Sequence, residues 1–159
     1  MVKWTKVAVG LGSNLSNPAS QLDEACNKLR ASPHVLNFRC SSYFHSKPLG
    51  PEDQPDFVNA AAVFETDLTP EHLLALLQAF EKRQGRVKLR HWGERLIDLD
   101  ILLYGNQQFN QPNLTVPHPF LTERDFVLLP LAELWPDVMI PGRGQIQNII
   151  MQLNSRYVV

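Results

Sequence analysis

The sequence predicts an α+β fold of the ferredoxin-like type, with a β-α-β-β-α-β core inside a three-layer α/β/α arrangement. Three observations support this prediction. Four apolar stretches read as strands, two stretches have apolar residues at helical spacing, and the last third of the chain holds two more helix-compatible stretches. In the split βαβ arrangement an antiparallel sheet carries both core helices on one face. The two later helices are therefore expected to cover the other face.

The core begins with a short apolar strand and a helix. The strand runs from Lys6 to Gly10 and is expected to stop in a tight turn at Gly10-Leu11-Gly12, where Ser13 and Asn14 bond local backbone. Asn17 is a residue type that caps the free amides of a helix, and Pro18 fits the first helical position. Apolar residues then recur at helical spacing until Pro33, so the first helix is expected to end there.

The middle of the chain predicts three more strands and a second helix. Val35 to His45 has the period of a half-buried strand, and Asp56 to Thr66 is expected to form the next strand. That strand is expected to place four residues on one face: Val58, Ala60, Ala62 and Phe64. The helix is expected to open at Thr69-Pro70-Glu71 and to end near Gly85. The last core strand runs from Leu96 to Tyr104. The second strand is expected to direct four apolar side chains to the core: Leu36, Phe38, Cys40 and Phe44.

Length and composition limit the class of protein. A chain of 159 residues has about the length of one domain, so we expect a single domain over 1–159, with helices near 121–134 and 145–155. Hydrophobic residues at 44% and charged residues at 19% exclude a disordered or coiled-coil chain. The apolar runs fall far short of the roughly 18 residues that cross a bilayer, and no secretory signal is visible. We therefore expect a cytoplasmic protein with free thiols at Cys26 and Cys40.

Positive charge is concentrated in one short segment. Residues 82–95 carry six cationic side chains and one acidic one, whereas the rest of the chain carries nine cationic and fifteen acidic side chains. A nucleic-acid binder is more often basic over a whole face. The distribution therefore favours a small phosphorylated ligand.

The sharpest local signal is the acidic pair Asp98-Leu99-Asp100 in the last core strand. Residues two apart on a strand point to the same side, about 6.5 to 7 Å apart, so both carboxylates are expected to emerge together. Like charges this close are usually neutralised by a divalent metal ion, and oxygen ligands favour Mg²⁺, which also binds substrate phosphates. The alternative is a pair of acids on a solvated face. The apolar residues between and around them are expected to enter the core: Ile97, Leu99, Ile101 and Leu103.

Other motifs carry less information. Gly10-Leu11-Gly12 lacks the third glycine of a dinucleotide-binding loop, and no Walker A pattern occurs. The histidines form no HxxxH or HxH pair, so a zinc enzyme is not expected. His118, held between two prolines, either faces phosphate or is structural. Phe57 and Phe126 are ordinary core candidates on pattern alone.

Several separated segments together resemble the hydroxymethyldihydropterin pyrophosphokinases of folate biosynthesis, over nearly the whole chain. The resemblance rests on five segments: Leu11-Gly12-Ser13-Asn14-Leu15, Pro48 to Asn59, Gly85-Arg86, Arg95 to Leu102, and Val116-Pro117-His118. It implies transfer of a pyrophosphoryl group from ATP to the hydroxymethyl oxygen of 6-hydroxymethyl-7,8-dihydropterin, with AMP as the leaving group. It also implies small-molecule partners only, with no nucleic acid or membrane, and a monomer.

The resemblance assigns roles to particular residues. Asp98 and Asp100 would hold two Mg²⁺ ions that bridge the phosphates of the co-substrate ATP, and the catalytic group would also include Arg86 and Arg95. The pterin would be bound by Ser46, Leu49, Phe57, Asn59 and Phe126. The nucleotide would be surrounded by Gln78, Glu81, Arg86, Lys88, Trp92, Arg95, Ile101, His118 and Arg124. Four positions depart from the familiar family pattern: Lys47, Lys88, His91 and Pro119.

Two other functions also fit the predicted fold. One is a two-metal nucleotidyltransferase or phosphodiesterase acting on nucleic acid, which predicts a wider basic surface. The other is a non-catalytic RNA-binding module, which needs exposed aromatic residues beside basic ones on its central strands. The acidic balance outside residues 82–95 counts against the first, and the acidic neighbours of Phe57 count against the second.

Overall fold

The structure of the chain is a computed structural model that describes residues 2–85 and 94–159. The predicted β-α-β-β-α-β core is present, with one predicted strand divided in two. In chain order the core elements are β1 (Thr5–Ser13), α1 (Pro18–Ala31), β2 (Val35–Cys40), β3 (Phe44–Ser46), β4 (Phe57–Thr66), α2 (Pro70–Arg83) and β5 (Asp98–Tyr104). The later elements are β6 (Phe109–Gln111), β7 (Leu114–Val116), a 3₁₀ turn (Leu121–Glu123), α3 (Asp125–Leu134), β8 (Met139–Ile140), β9 (Gly144–Gln145) and α4 (Ile146–Met151).

The main sheet is antiparallel throughout. Its order is β2-β4-β1-β5, and the short β3 also pairs with β4. Because β1 and β4 are central, residues on both of their faces are buried. β5 is an edge strand of this sheet. The backbone N–H and C=O groups on its outer side therefore face groups other than a neighbouring strand.

The first face of the sheet is a continuous apolar core under α1 and α2. Leu22 and Leu29 of α1 and Leu73 and Leu77 of α2 are fully buried against it. From the sheet, this core takes Val7, Val9, Leu11, Val58, Ala60, Ala62, Phe64, Leu99 and Ile101. The alternation predicted for β4 is confirmed on this face.

The second face is covered by α3 and α4, which confirms the three-layer arrangement. A separate apolar cluster joins Leu128 and Leu131 of α3 to Ile146 and Ile149 of α4. The sheet contributes Ala8, Ala61, Val63, Leu102 and Leu103 to this cluster. These residues occupy one end of the sheet only, so the other end of the second face has no helix packed over it in the same way.

The predicted turn at Gly10 and Gly12 is wrong. β1 continues to Ser13, and the two glycines pair with Asp100 and Asp98 of β5 as ordinary strand residues. Two glycines normally weaken a strand, but here β4 pairs with β1 along its whole length and β5 pairs with it from Val7 to Gly12. Flanking strands therefore override the local turn signal.

The predicted second strand is interrupted, and Leu36 does not enter the core. Its pairing with β4 shifts between Leu36 and Arg39, where Asn37 has a positive φ of 55°. Such a bulge reverses the side-chain direction that follows from strict alternation. Leu36 is consequently 45% exposed, while Phe38 still packs on the first-face core.

The last core strand is also irregular. Its pairing with β1 shifts between Ala8 and Val9, so that Leu103 packs on the second face rather than beside Ile101 on the first. Leu103 is buried as predicted, but in the other core. The strand begins at Asp98, two residues later than predicted, and Ile97 before it is fully buried.

The first residues of α1 and α2 differ in whether a side chain caps the helix. Thr69 caps α2, because its hydroxyl oxygen accepts from the His72 N–H at 3.2 Å. Asn17 does not cap α1 with its side chain, since its φ of 61° places the residue in the left-handed region. At the other end of the chain α4 ends at Met151, so the predicted helix over 145–155 is shorter than expected.

Two hairpins were not predicted, β6–β7 and β8–β9. The turn residues Pro112-Asn113 mark the first hairpin, and the positive-φ Gly142 lies in the second.

Cys26 and Cys40 are free thiols with their Sγ atoms 3.5 Å apart. No helix in the described part of the chain combines the length and apolar character that crossing a membrane requires.

Candidate functional site

A cleft opens on the second face of the sheet, beyond the end that α3 and α4 cover. Its walls come from β1, β4 and β5 of the sheet, from the segment after β3, and from the start of α3. Most of the residues predicted to bind substrates line this one cleft.

Gly10 and Gly12 form the floor of the cleft. Gly12 lies between Asn59 on β4 and Asp98 on β5, and Gly10 pairs with Asp100. A Cβ atom built on Gly12 would lie 3.5 Å from Asn59 Oδ1, in the space above the floor. Because glycine has no side chain, the space above β1 stays open between Asn59 on one neighbouring strand and the two aspartates on the other.

Asp98 and Asp100 both line the cleft, so they emerge on one face of β5 as predicted. Asp98 is half-buried and Asp100 is exposed. The Nε atom of Arg95 lies 3.7 Å from Asp98 Oδ2, at the outer limit of an ion pair. The pair is therefore accessible to a ligand and already faces one buried cation.

Arg95 is held in place by its backbone. Its N–H donates to Asn14 Oδ1 at 2.8 Å, and its carbonyl oxygen accepts from the Asn14 N–H at 3.0 Å. The Asn14 amide nitrogen also donates to Gln54 Oε1 and to the carbonyl of Pro55. One buried asparagine after β1 thus connects the two segments that precede β4 and β5.

His118 lies in the wall of the cleft as a neutral ring. Its Nδ1 accepts from the Phe120 N–H at 3.3 Å, which leaves the proton on Nε2. Burial, followed by the positive field of Arg124, lowers the pKa of His118 to about 4. The ring is therefore a hydrogen-bond donor near pH 7, a role suited to a phosphate oxygen.

Arg124 stands between the aspartates and the aromatic end of the cleft. Its guanidinium lies 4.8 Å from the ring centre of Phe120 and 5.8 Å from that of Phe126. Burial lowers the pKa of Arg124, and the field of Asp100 opposes this shift. Because arginine stays protonated in proteins, Arg124 brings a second cation to the cleft.

Phe57, Phe126 and Asn59 form the other end of the cleft. Both rings line the cleft and are half-buried. The Asn59 amide nitrogen donates to Ser46 Oγ at 2.7 Å and to the Phe44 carbonyl at 3.3 Å. Its Oδ1 therefore lies toward Gly12 as an acceptor at the base of the aromatic pair.

The residues predicted to bind substrates or metal divide into three groups. Ser46, Leu49, Phe57, Asn59, Arg95, Asp98, Asp100, His118, Arg124 and Phe126 line the cleft. Gln78, Glu81 and Ile101 do not line it: Gln78 is exposed on α2, and Ile101 belongs to the first-face core. Arg86, Lys88 and Trp92 lie outside the described residues. The expected nucleotide contacts of the last two groups stay predictions.

Glu81 contacts the backbone of β5. It is 7% exposed on α2, and its Oε2 accepts from the Leu99 N–H at 2.8 Å. Leu99 stands between the two aspartates on the edge strand, where its amide faces away from β1. Glu81 therefore supports the backbone that carries the aspartates.

Sequence reasoning missed the roles of Gly10, Gly12 and Asn14. A strand that ends in Gly-x-Gly, opposite an acidic pair two residues apart, is a signal that could have identified the floor. The contacts of Asn14 are separated by 40 residues or more along the chain. No local pattern could have indicated them.

The two carboxylates fit a magnesium site that the substrate completes. Among the described residues no group of three or more His, Cys, Asp and Glu side chains is arranged around one point. Mg²⁺ commonly takes one or two carboxylates and fills its other positions with water and phosphate oxygens. The oxygen donors of Asp98 and Asp100 match that preference.

Comparisons with known proteins show the family of this chain. The family model described as 7,8-dihydro-6-hydroxymethylpterin-pyrophosphokinase (HPPK) matches residues 8–136. The chain is 46% identical over 151 residues to the 2-amino-4-hydroxy-6-hydroxymethyldihydropteridine pyrophosphokinase of Haemophilus influenzae, covering 95% of this chain and 94% of that protein. It is 47% identical to the protein of the same name from Pseudomonas aeruginosa, covering 91% of this chain and 90% of the relative.

A solved structure shows the same fold. The crystal structure of Plasmodium falciparum HPPK-DHPS with pteroate aligns with a TM-score of 0.74 at 13% sequence identity, over 94% of this chain. This chain covers 42% of that protein, and at such low identity the likeness concerns the fold alone. The family match and the close relatives carry the assignment: the chain belongs to the 7,8-dihydro-6-hydroxymethylpterin-pyrophosphokinase family.

Proposed function

We propose that this chain transfers a pyrophosphoryl group from ATP to 6-hydroxymethyl-7,8-dihydropterin in folate biosynthesis. The hydroxymethyl oxygen forms a bond to the β-phosphorus, the bond between that phosphorus and the α,β-bridging oxygen breaks, and AMP leaves. The hydroxyl proton is released to water. Membership of the family and the names of its close relatives support this reaction.

One observation carries the proposal. A single cleft has an acidic pair with two cations at one end, and an aromatic pair with an amide oxygen at the other. A triphosphate bound through Mg²⁺ suits the first end. A flat bicyclic ring with a hydrogen-bonding edge suits the second, because stacking favours flat rings and the amide selects among them.

At the nucleotide end, Asp98 and Asp100 would hold two Mg²⁺ ions. Bound magnesium neutralises charge on the transferring phosphates and orients them. Arg95 is 6% exposed and therefore keeps its position beside Asp98 when the ligand is absent. Arg124 and the Nε2–H of His118 would donate to phosphate oxygens.

The chemistry would depend on charge neutralisation and in-line positioning rather than on a strong base. His118 is unsuited to take the hydroxyl proton, because its Nδ1 is already an acceptor for Phe120 N–H and its pKa is about 4. Held reactants gain a large rate advantage from orientation alone. Phosphoryl transfer in general relies on these two effects.

At the pterin end, Phe57 and Phe126 would stack on the two faces of the ring. Asn59 Oδ1 would accept from the polar edge of the pterin, with Ser46 and the backbone at Leu49 beside it. The hydrogen bond from Asn59 to Ser46 Oγ fixes the orientation of the amide, so that its oxygen is the group presented.

We further propose that residues 1–159 act as one catalytic domain and as a monomer in the cytoplasm. The residues at both ends of the cleft belong to elements of the one predicted domain, from β1 to α3. The substrates proposed here are small molecules. Sedimentation of the active protein would test the oligomeric state directly.

The identity of the nucleotide product tests the reaction. Purified protein is mixed with ATP, Mg²⁺ and the reduced hydroxymethylpterin, and the nucleotides are separated. We expect AMP that depends on the pterin. Formation of ADP, or of no nucleotide product, would overturn the proposal.

A matched pair of variants tests the aromatic end. Phe57→Ala is expected to raise the pterin KM about 10- to 100-fold, since it removes one stacking ring worth roughly 1–3 kcal/mol. Phe109→Ala removes an equal ring that is half-buried outside the cleft, and it is expected to leave the pterin KM unchanged. Equal KM values for the two variants would exclude the assigned ring site.

A further inference from the structure

The last three residues of the sequence pair with β3 beside the cleft. Val158 bridges antiparallel to Ser46 of β3. The Lys47 N–H donates to the Tyr157 carbonyl at 2.8 Å, and the Val159 N–H donates to the His45 carbonyl at 2.9 Å. The segment 157–159 thus pairs with β3 on the edge that β4 leaves free.

A buried carboxylate holds this segment from the opposite side. Asp125 is 4% exposed at the first position of α3. Its Oδ2 accepts from the Tyr157 N–H at 2.9 Å and from the Val158 N–H at 3.0 Å. Segment 157–159 is therefore bonded to β3 through some of its backbone groups and to α3 through others.

The two elements joined in this way carry opposite walls of the pterin end. Ser46 and Lys47 line the cleft on the β3 side, and Phe126 lines it at the start of α3. The Tyr157 ring also packs edge-on against Phe126, with ring centres 5.8 Å apart. The position of Phe126 relative to Ser46 consequently depends on the segment between them.

The two oxygens of the Asp125 carboxylate differ in their contacts. Oδ2 receives both backbone amides of the segment, from Tyr157 and Val158. Oδ1 is buried and has no hydrogen-bond partner in the described part of the chain. The link between α3 and the segment 157–159 therefore depends on one oxygen atom of this side chain.

We infer that Asp125 is a positioning residue for the pterin substrate, acting through the backbone of Tyr157 and Val158. This inference rests on the proposed function, because it assigns the Ser46–Phe126 end of the cleft to the pterin. Asp125 touches neither reactant. It sets the position of Phe126 relative to Ser46, at the end of the cleft proposed to hold the pterin.

Steady-state kinetics of Asp125→Ala tests the inference, with AMP formation followed at varied pterin and at varied ATP. Loss of hydrogen bonds to a charged group, worth about 1.5–3 kcal/mol, predicts a pterin KM roughly 10- to 100-fold higher. The ATP KM is expected to stay within about twofold, since the aspartate pair keeps its own supports. A general loss of structure would instead lower the amount of active enzyme and leave both KM values unchanged.

Three further variants keep the test independent of folding. A chain that ends at Arg156 lacks the segment but no fully buried side chain, and it is expected to reproduce the pterin-specific KM change. Asp125→Asn retains an acceptor oxygen and is expected to restore a pterin KM close to that of the unchanged protein. Asp137→Asn, an exposed acid beyond α3, is the control for loss of charge and is expected to have no effect.

The outcomes separate this inference from the proposed function. If the unchanged protein forms no AMP, the proposed function fails and this inference fails with it. If the unchanged protein forms AMP while Asp125→Ala and the shortened chain alter both KM values equally, or neither, the inference alone is overturned. A selective rise in the pterin KM in both variants supports it.

Discussion

The two faces of the central sheet differ in how far helices cover them. On the first face α1 and α2 pack on a continuous cluster of buried apolar residues from the strands. On the second face α3 and α4 cover one end only. The other end exposes two glycines, an asparagine and two aspartates from adjacent strands.

The difference shows how one sheet carries both stability and chemistry. Ala8, Gly10 and Gly12 follow each other on the same face of β1, and only the first lies under a helix. Apolar burial at the covered end stabilises the backbone that positions polar groups at the open end. Variants in the two regions are therefore expected to change different quantities.

The largest effect is expected from the acidic pair. Asp100→Ala removes half of the proposed magnesium site, and a loss of several kcal/mol of charge stabilisation corresponds to a decrease in kcat of about 1,000-fold or more. Because Asp100 is exposed, the melting temperature is expected to change little. Pterin-dependent AMP formation measures the effect, with Asp137→Ala as an exposed acidic control. More than a tenth of the normal rate in Asp100→Ala would contradict the assignment.

The next effect concerns the first face. Leu77→Ala opens a cavity in the fully buried core under α2 and is expected to lower the free energy of unfolding by about 2–5 kcal/mol. Both KM values are expected to be normal while the protein stays folded. Urea unfolding measures the change, and Leu36→Ala is the matched control. Since Leu36 is 45% exposed, its replacement is expected to cost less than about 0.5 kcal/mol.

A third test compares the two ends of one strand. Gly12→Val places branched carbon atoms over the floor near Asn59 and Phe57, and it is expected to raise the pterin KM about 10- to 100-fold. Ala8→Val adds the same kind of group under α3, where overpacking costs about 1–3 kcal/mol of stability. Kinetics and thermal unfolding of both variants measure the contrast. The same behaviour in both would show that the two ends do not differ as described.

The smallest effect is a pH dependence. The pKa of His118 falls from 6.5 in the unfolded chain to about 4 in the folded one, so the unfolded chain binds more protons between these values. Folding stability from this group is therefore complete above pH 6.5 and is lost as the pH falls toward 4. For a partly exposed ring we expect a loss of about 2 kcal/mol after solvent screening.

Urea unfolding at pH 7.5 and pH 4.5 measures this contribution. The unchanged protein is expected to lose about 2 kcal/mol more between the two pH values than His118→Gln does, because glutamine takes up no proton. Other titrating groups are common to both proteins and cancel in the comparison. An equal loss in both proteins would mean that His118 is not buried as a neutral ring.

Much of the fold was predictable because its signals are local. The helical spacing around Leu73 and Leu77, the threonine cap at Thr69 and the alternation along β4 each follow from neighbouring residues, and each is confirmed. The positions of Asp98 and Asp100 on one face follow from the two-residue period of a strand. Their spacing and their residue type were sufficient.

The errors occurred where distant residues override a local signal. Gly10 and Gly12 have the composition of a turn, yet they continue a strand because two neighbours pair with it. Leu36 and Leu103 follow the expected alternation in sequence, but a shift in pairing beside each one changes the side that the residue faces. Pairing partners are chosen by the whole sheet, so a window of sequence does not contain them.

The amino-acid sequence alone determined the order of the core strands and helices, the residue types proposed to hold phosphate and magnesium, and the family that the chain resembles, since these depend on spacing and side-chain chemistry. The tertiary structure decided which residues share the cleft. Asn14 meets Arg95, and Asp125 meets Tyr157, across 81 and 32 positions of the chain. Such contacts arise only when the sheet and its helices pack together, because packing brings distant backbone groups within the reach of one hydrogen bond.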